Sequence, residues 1–88
     1  MKLILAIVRD IDNDHVSHAL TSANFKVTCI ASTGGFIRRG NSTLLVGTED
    51  EKVNEALDII RNNLSPTTEP NQKRVVMFVL KVDQYIHY

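Results

Sequence analysis

The sequence has few of the residues that build disulfide frameworks, rigid turns or strongly charged surfaces. It contains one cysteine, two prolines and no tryptophan among 88 residues. A single cysteine cannot close an intramolecular disulfide, so the composition favours a reduced, cytoplasmic setting, with Cys29 expected to be a small buried residue within its apolar run. Ten basic residues balance ten acidic ones. The chain therefore lacks the overall positive field typical of a general nucleic-acid binder.

Long hydrophobic runs are also missing. The apolar stretch near the N-terminus, Leu3 to Val8, has six residues, whereas a helix that spans a bilayer needs about 20. We therefore expect no membrane insertion and no signal peptide. The length predicts one domain, residues 1–88, with a core so thin that a missing partner would affect its stability.

The first half of the chain contains four segments whose composition or hydrophobic pattern predicts secondary structure. The apolar run Lys2 to Arg9 predicts a buried strand. Apolar residues at helical spacing predict a first helix from about residue 12 or 13, ending at Asn24. Phe25 to Thr33 and Asn41 to Gly47 are rich in β-branched residues, which predicts a hairpin of strands two and three.

The second half supplies a helix and a last strand. Thr48 and Glu51 match a capping box, which predicts the start of helix two. The polar stretch from Ser65 to Gln72 holds both prolines and predicts a loop. Arg74 to Val82 is almost entirely apolar and predicts strand four.

The resulting order, βαββαβ, predicts an α+β ferredoxin-like fold: a four-stranded antiparallel sheet with both helices on one face. Strands one and four carry apolar residues on both faces. Two helices can cover only one side, and a large exposed apolar patch usually marks an interface. The sequence therefore predicts an obligate oligomer.

The connection STGGFIRRGN, residues 32–41, has an unusual composition. Glycines leave backbone amides accessible, an aromatic residue at the surface gains most when something stacks on it, and arginines match phosphate oxygens. Asn41 can donate and accept, as reading a purine edge requires. The residues alone leave two interpretations open: a hairpin with a basic tip, or a site for an anionic, aromatic ligand.

Other arrangements for chemistry are weaker. His15 and His18 are spaced to share a helix face, but no third metal ligand is near them in sequence. A copper-tolerance-like metal trimer would require both to converge with Cys29. An acylphosphatase-like enzyme would require glycines around Arg9, and none is there. The sequence therefore predicts no catalysis, no bound metal and no cofactor.

The segment NFKVTCIASTGGFIRRGNSTLLVG resembles the PII-like cyclic di-AMP receptors of the PstA (DarA) type, whose central pattern is T-G-G-F-(I/L)-x-x-G-N. MKLILAIVRDID and VDQYIHY also resemble the two ends of that family. The resemblance implies a homotrimeric signal-transduction protein that binds one cyclic di-AMP in each cleft between subunits and acts on an unidentified protein partner. By position it implies that the site is formed by Asn24, Lys26, Thr28, Thr33, Gly34, Gly35, Phe36, Ile37, Asn41, Gly47, Phe78 and His87.

Three features depart from the family pattern. Lys26 stands where the family usually has arginine, and His87 where it commonly has glutamine. The stretch from Ser65 to Lys73 replaces a long loop before the last strand. The alternative is therefore a divergent short-loop homologue that has lost cyclic di-AMP or binds another adenine nucleotide.

A Phe36→Ala variant tests the role that the resemblance implies for the ring. If Phe36 stacks on an adenine, the variant should lose roughly 1–3 kcal/mol of binding free energy for cyclic di-AMP, the usual range for base stacking. Isothermal titration calorimetry measures this loss. Unchanged affinity would place the base elsewhere.

Overall fold

The apolar and β-branched runs form strands and the segments with helical spacing form helices, as the sequence predicts. The computed structural model describes residues 1–30, 40–67, 73–84 and 86. Within these residues the strands are β1 (Lys2–Arg9), β2 (Lys26–Ile30), β3 (Asn41–Thr48) and β4 (Val75–Lys81), and the α-helices are α1 (Asp10–Ser22) and α2 (Val53–Asn62).

The four strands form one antiparallel sheet in the order β2-β3-β1-β4. The central strand β1 pairs with β3 from Lys2 opposite Thr48 and with β4 from Lys2 opposite Lys81. This arrangement confirms the predicted ferredoxin-like α+β fold. It also places β2 and β4 at opposite edges of the sheet.

The core lies between the helices and one face of the sheet. Alternate residues of the central strands, among them Ile4 and Leu44, are fully buried there, because successive side chains of a strand point to opposite faces. Both helices contribute residues at helical spacing to this layer. The fully buried apolar residues of the core are Ile4, Ala6, Val8, Val16, Leu20, Leu44, Val46, Ala56 and Ile60.

Helix α1 begins earlier than predicted. It starts at Asp10, directly after β1, rather than at residue 12 or 13. The Asp10 amide donates a hydrogen bond to the Gly40 carbonyl, 2.8 Å away, which gives the first turn a partner 30 positions distant in sequence. The predicted end is confirmed, since Asn24 has φ of 70°, a left-handed conformation that asparagine tolerates.

The predicted capping box at the start of helix two is wrong. No side-chain cap forms there, and a short 3₁₀ turn, Asp50–Lys52, precedes α2. Thr48 belongs to β3, where it pairs with Lys2 and is buried. Its hydroxyl donates to the Glu49 carbonyl at 3.3 Å. Thr48 is therefore the last residue of β3 and does not cap a helix.

The remaining strand boundaries lie within one residue of the predictions where the structure describes them. Strand β2 is described to Ile30, and the rest of the predicted strand, residues 31–33, lies outside the described residues. Strand β4 is one residue shorter than predicted at each end. Of the predicted loop, Ser65 to Thr67 is irregular and residues 68–72 lie outside the described part.

The second face of the sheet, which we call the open face, carries no helix of the described chain. Its central residues Leu3, Leu5 and Ile7 are half-buried, while on β4 the exposed fractions are 52% for Phe78 and 48% for Leu80. Both faces of the sheet are therefore apolar, as predicted, and the helices cover one of them.

A charge network around the buried Asp12 connects β1 and α1 with Ser65, in the segment that follows α2. Asp12, 1% exposed, accepts hydrogen bonds from Arg9 Nε and Nη2 at 3.1 and 2.8 Å and from the Ser65 amide at 2.9 Å. Arg9 also donates to the Ser65 carbonyl. Burial by itself raises the pKa of Asp12, but the hydrogen bonds from Ser65 and Arg9 outweigh it and hold the pKa below the ordinary 3.8.

Replacing Asp12 by asparagine should expose the contribution of this network to stability. Asp12→Asn leaves the partly buried Arg9 without its counter-charge, so we expect a loss of about 2–3 kcal/mol in the free energy of unfolding at pH 7. Urea unfolding at one fixed protein concentration measures it. Because the folded pKa is lowered, the contribution is present above pH 3.8 and is lost as the pH falls through the folded value, where the two proteins should converge.

Asp58→Asn is the matched control. Asp58 pairs with Arg61, three residues away, but both side chains are exposed, so this change should cost less than about 1 kcal/mol. Equal losses for the two variants would contradict a structural role of the Asp12 network.

Candidate functional site

Two neighbouring strands bring together three of the predicted site residues. Lys26 and Thr28 lie on the open face of β2, and Gly47 is the register partner of Lys26 on β3. Neighbouring strands are about 4.8 Å apart, so these residues form one group. Lys26 and Thr28 are exposed because β2 is an edge strand. We call these three residues the β2–β3 group.

Asn24 lies two residues before Lys26, in the turn that joins α1 to β2. Its backbone amide donates to the Thr21 carbonyl at 3.0 Å, and its left-handed backbone conformation turns the chain from the helix into the sheet. The asparagine is exposed, so its side-chain amide is accessible at the same end of β2 as Lys26. Its backbone conformation and its predicted polar contact are therefore compatible.

The absence of a side chain at Gly47 keeps the backbone of β3 accessible beside Lys26. A Cβ built at this position would lie 3.6 Å from the terminal methyl of Met1. This is an ordinary van der Waals distance, so a small residue could fit sterically.

Asn41 lies at the far end of β3 from the β2–β3 group. Six residue steps separate it from Gly47, which corresponds to about 20 Å in an extended strand. It is half-buried and follows Gly40, whose φ of 90° is a left-handed conformation suited to glycine. Asn41 and Gly47 therefore cannot contact the same small chemical group of one ligand.

Five predicted residues occupy the connection between Ile30 and Gly40. Thr33, Gly34, Gly35, Phe36 and Ile37 lie outside the described residues, as does His87. The ends of the connection are described: Ile30 closes β2 on the open face, and Gly40 directly precedes Asn41.

Phe78 is far from the β2–β3 group within one chain. The register places Phe78, Leu5, Leu45 and Thr28 in one row across the four strands. Three strand spacings amount to roughly 14 Å. Phe78 lies on the same open face and is 52% exposed. A single chain therefore does not bring Phe78 and Thr28 into one pocket.

The charge of Lys26 is not engaged in the described part of the chain. The ion pairs formed there join Met1 with Asp50, Arg9 with Asp12, Arg61 with Asp58, and Lys81 with Asp83. An exposed ammonium on an edge strand can meet an anion without first breaking an ion pair. It does so as a point charge, without the planar fork of arginine.

One polar group of the open face was not predicted from the sequence. Thr43 lies between Asn41 and Leu45 on β3, and among the described residues its hydroxyl is the buried side-chain group without a hydrogen-bond partner. A buried hydroxyl in this state costs free energy, so it favours a partner group. The sequence held no signal for it, since burial on this face depends on the neighbouring strands.

The described residues do not assemble a site for the alternative chemistries considered from the sequence. Within the described ranges, no group of three histidine, cysteine or acidic residues is placed to hold a metal ion. His15 and His18 are exposed on α1. Cys29 is exposed rather than buried as predicted, because β2 is an edge strand, and its thiol donates to Asn13 Oδ1 at 3.5 Å. Neither described helix is long and apolar enough to cross a membrane.

Comparison with known proteins decides the family. The family model described as cyclic-di-AMP receptor matches residues 1–88. The chain belongs to the cyclic-di-AMP receptor family. This confirms the resemblance drawn from the T-G-G-F motif and its flanking strands, and the family is one of receptors rather than of enzymes.

A solved structure supports the same fold. The chain is similar to a functionally unknown protein from Pediococcus pentosaceus ATCC 25745, with 33% sequence identity and a TM-score of 0.79. The similarity covers 99% of this chain and 96% of that chain. The fold of this receptor-family chain is therefore shared over nearly the whole length of both proteins.

Proposed function

We propose that this chain is a PII-like signal-transduction protein that binds cyclic di-AMP, without chemical conversion, in the clefts between subunits of a cytoplasmic homotrimer. The observation that carries the proposal is the β2–β3 group: Lys26 and Thr28 lie exposed on the edge strand β2 beside Gly47 of β3, in a chain of the cyclic-di-AMP receptor family. An unidentified protein partner reads the bound state.

The chemistry of the ligand matches these side chains. Cyclic di-AMP carries two phosphodiesters, each with one negative charge, and two adenines. Lys26 supplies the positive charge and the Thr28 hydroxyl supplies a hydrogen-bonding group, while the missing side chain at Gly47 leaves room beside Lys26. Asn24 and Asn41 each offer a side-chain amide that can read a polar edge of the ligand. Within one chain they lie at opposite ends of the sheet, so they meet the same ligand only from different copies.

Two observations support a site between subunits. Phe78 lies roughly 14 Å from Thr28 across the sheet, so it joins the β2–β3 group only from a second copy. The open face is apolar and carries no helix, so further copies bury it. In this arrangement one copy contributes Lys26 and its neighbour contributes Phe78.

A second candidate function is a divergent receptor that binds another adenine nucleotide. Lys26 favours it, because a lysine cannot grip a phosphate with two parallel hydrogen bonds as arginine does. The short stretch from Ser65 to Lys73 favours it as well, since less chain remains before β4 to contact a ligand or a partner.

Isothermal titration calorimetry separates the two functions. The purified protein is titrated with cyclic di-AMP, and with ATP and AMP as controls. We expect about one site per chain for cyclic di-AMP and no comparable heat with ATP or AMP. Heat with ATP or AMP alone would establish the second candidate, and no heat with any of the three would contradict both.

Mixing defective subunits tests the position of the site. Lys26→Ala and Phe78→Ala should each weaken binding, because one removes the charge and the other the ring. If the two residues meet across an interface, reassembled mixtures contain some clefts with both natural side chains, and tight sites should reappear. Light scattering before and after mixing verifies that the protein is a trimer.

The double variant, with both substitutions in one chain, provides the control. Mixed with the unaltered protein, it restores no cleft beyond those that the unaltered chains form among themselves. A stable monomer, or mixtures of the single variants that remain as weak as their parents, would contradict the intersubunit site.

A further inference from the structure

Asp10 lies outside the predicted site, but it holds the chain on both sides of Asn41. Its backbone amide donates to the Gly40 carbonyl at 2.8 Å, and its carboxylate Oδ1 accepts from the Ser42 hydroxyl at 2.5 Å. Gly40 and Ser42 are the two sequence neighbours of Asn41. One aspartate on α1 therefore fixes the beginning of β3.

Asn41 depends on this support because it lies at the end of its strand. On one side it pairs with Arg9 of β1. On the other side, the described pairing of β2 with β3 runs from Gly47 only as far as Thr43. The preceding residue, Gly40, has the least restricted backbone of any residue type. The contacts with Asp10 thus act at the first residues of β3.

Asp10 is itself held in place. It is the first residue of α1, and two residues further on Asp12 is bound by Arg9 and by the Ser65 amide. Its hydrogen-bond donor Ser42 is buried, 5% exposed, so the surrounding residues restrain the Ser42 hydroxyl. The order of support runs from the Asp12 network through the first turn of α1 to Ser42 and Asn41.

We infer that Asp10 is a positioning residue for nucleotide binding that acts through Asn41, an inference that rests on the proposed binding of cyclic di-AMP. Its charge alone would have the opposite effect, since a carboxylate repels a ligand with two negative charges. Removing the hydrogen bond should therefore weaken binding, whereas removing only the charge should not.

Two substitutions at Asp10 separate these effects. Asp10→Asn removes the charge but keeps an oxygen that accepts from Ser42, while Asp10→Ala removes both. By calorimetry with cyclic di-AMP, we expect Asp10→Asn to bind at least as tightly as the unaltered protein and Asp10→Ala to bind about five-fold more weakly than Asp10→Asn. Equal affinities of the two variants would overturn the inference.

Asp14→Ala is the control for charge on the same helix. Asp14 is exposed on α1, four residues after Asp10. Its removal changes the net charge as Asp10→Ala does, and we expect no loss of affinity. A loss equal to that of Asp10→Ala would assign the effect to charge and would also overturn the inference.

A double-mutant cycle tests whether Asp10 acts through Asn41. In an Asn41→Ala background the side chain that Asp10 positions is gone, so Asp10→Ala should cause no further loss of affinity. A further five-fold loss would show that Asp10 acts independently of Asn41. Failure of the unaltered protein to bind would contradict the proposed function, whereas binding with fully additive losses would contradict only this inference.

Discussion

The sheet is apolar on two faces, and the chain provides helices for only one of them. Ile4, Ala6 and Val8 are buried beneath α1 and α2, while Leu3, Leu5 and Ile7 of the same strand face the opposite way. A strand cannot bury both rows by local folding, because successive side chains alternate between the faces. The open face, and the residues at its two edges, follow directly from this alternation.

The geometry of the candidate site is a consequence of the strand order. Because β2 and β4 lie at opposite edges, Lys26 and Phe78 are on the same face of the sheet but are separated by two strands. The apolar open face also separates two parts of the proposed pocket within one chain. In the proposed trimer, association and ligand binding therefore depend on the same feature of the sheet.

The predicted elements and the family were accessible from the sequence because both rest on local patterns. Short continuous apolar runs located β1 and β4, and the T-G-G-F motif with its flanking strands identified the family. Features that depend on distant partners were not accessible. The early start of α1 depends on the Gly40 carbonyl, and the loss of the capping box depends on the pairing of Thr48 with Lys2.

The candidate site also has residues that were accessible from the sequence and contacts that were not. Lys26, Thr28 and Gly47 were predicted from sequence, but their grouping depends on the register between β2 and β3. The exposed thiol of Cys29, the unpartnered hydroxyl of Thr43 and the contacts of Asp10 carry no local signature, because each depends on which strand or helix lies beside it. A local motif therefore does not specify the surroundings of such residues.

The most direct test of this account is a crystal structure of the protein grown with cyclic di-AMP. The account predicts one ligand between two copies of the chain, in contact with Lys26 and Gly47 of one copy and with Phe78 of its neighbour, while the open faces of the copies pack against one another. A ligand bound within a single copy, or on the helical side of the sheet, would contradict it.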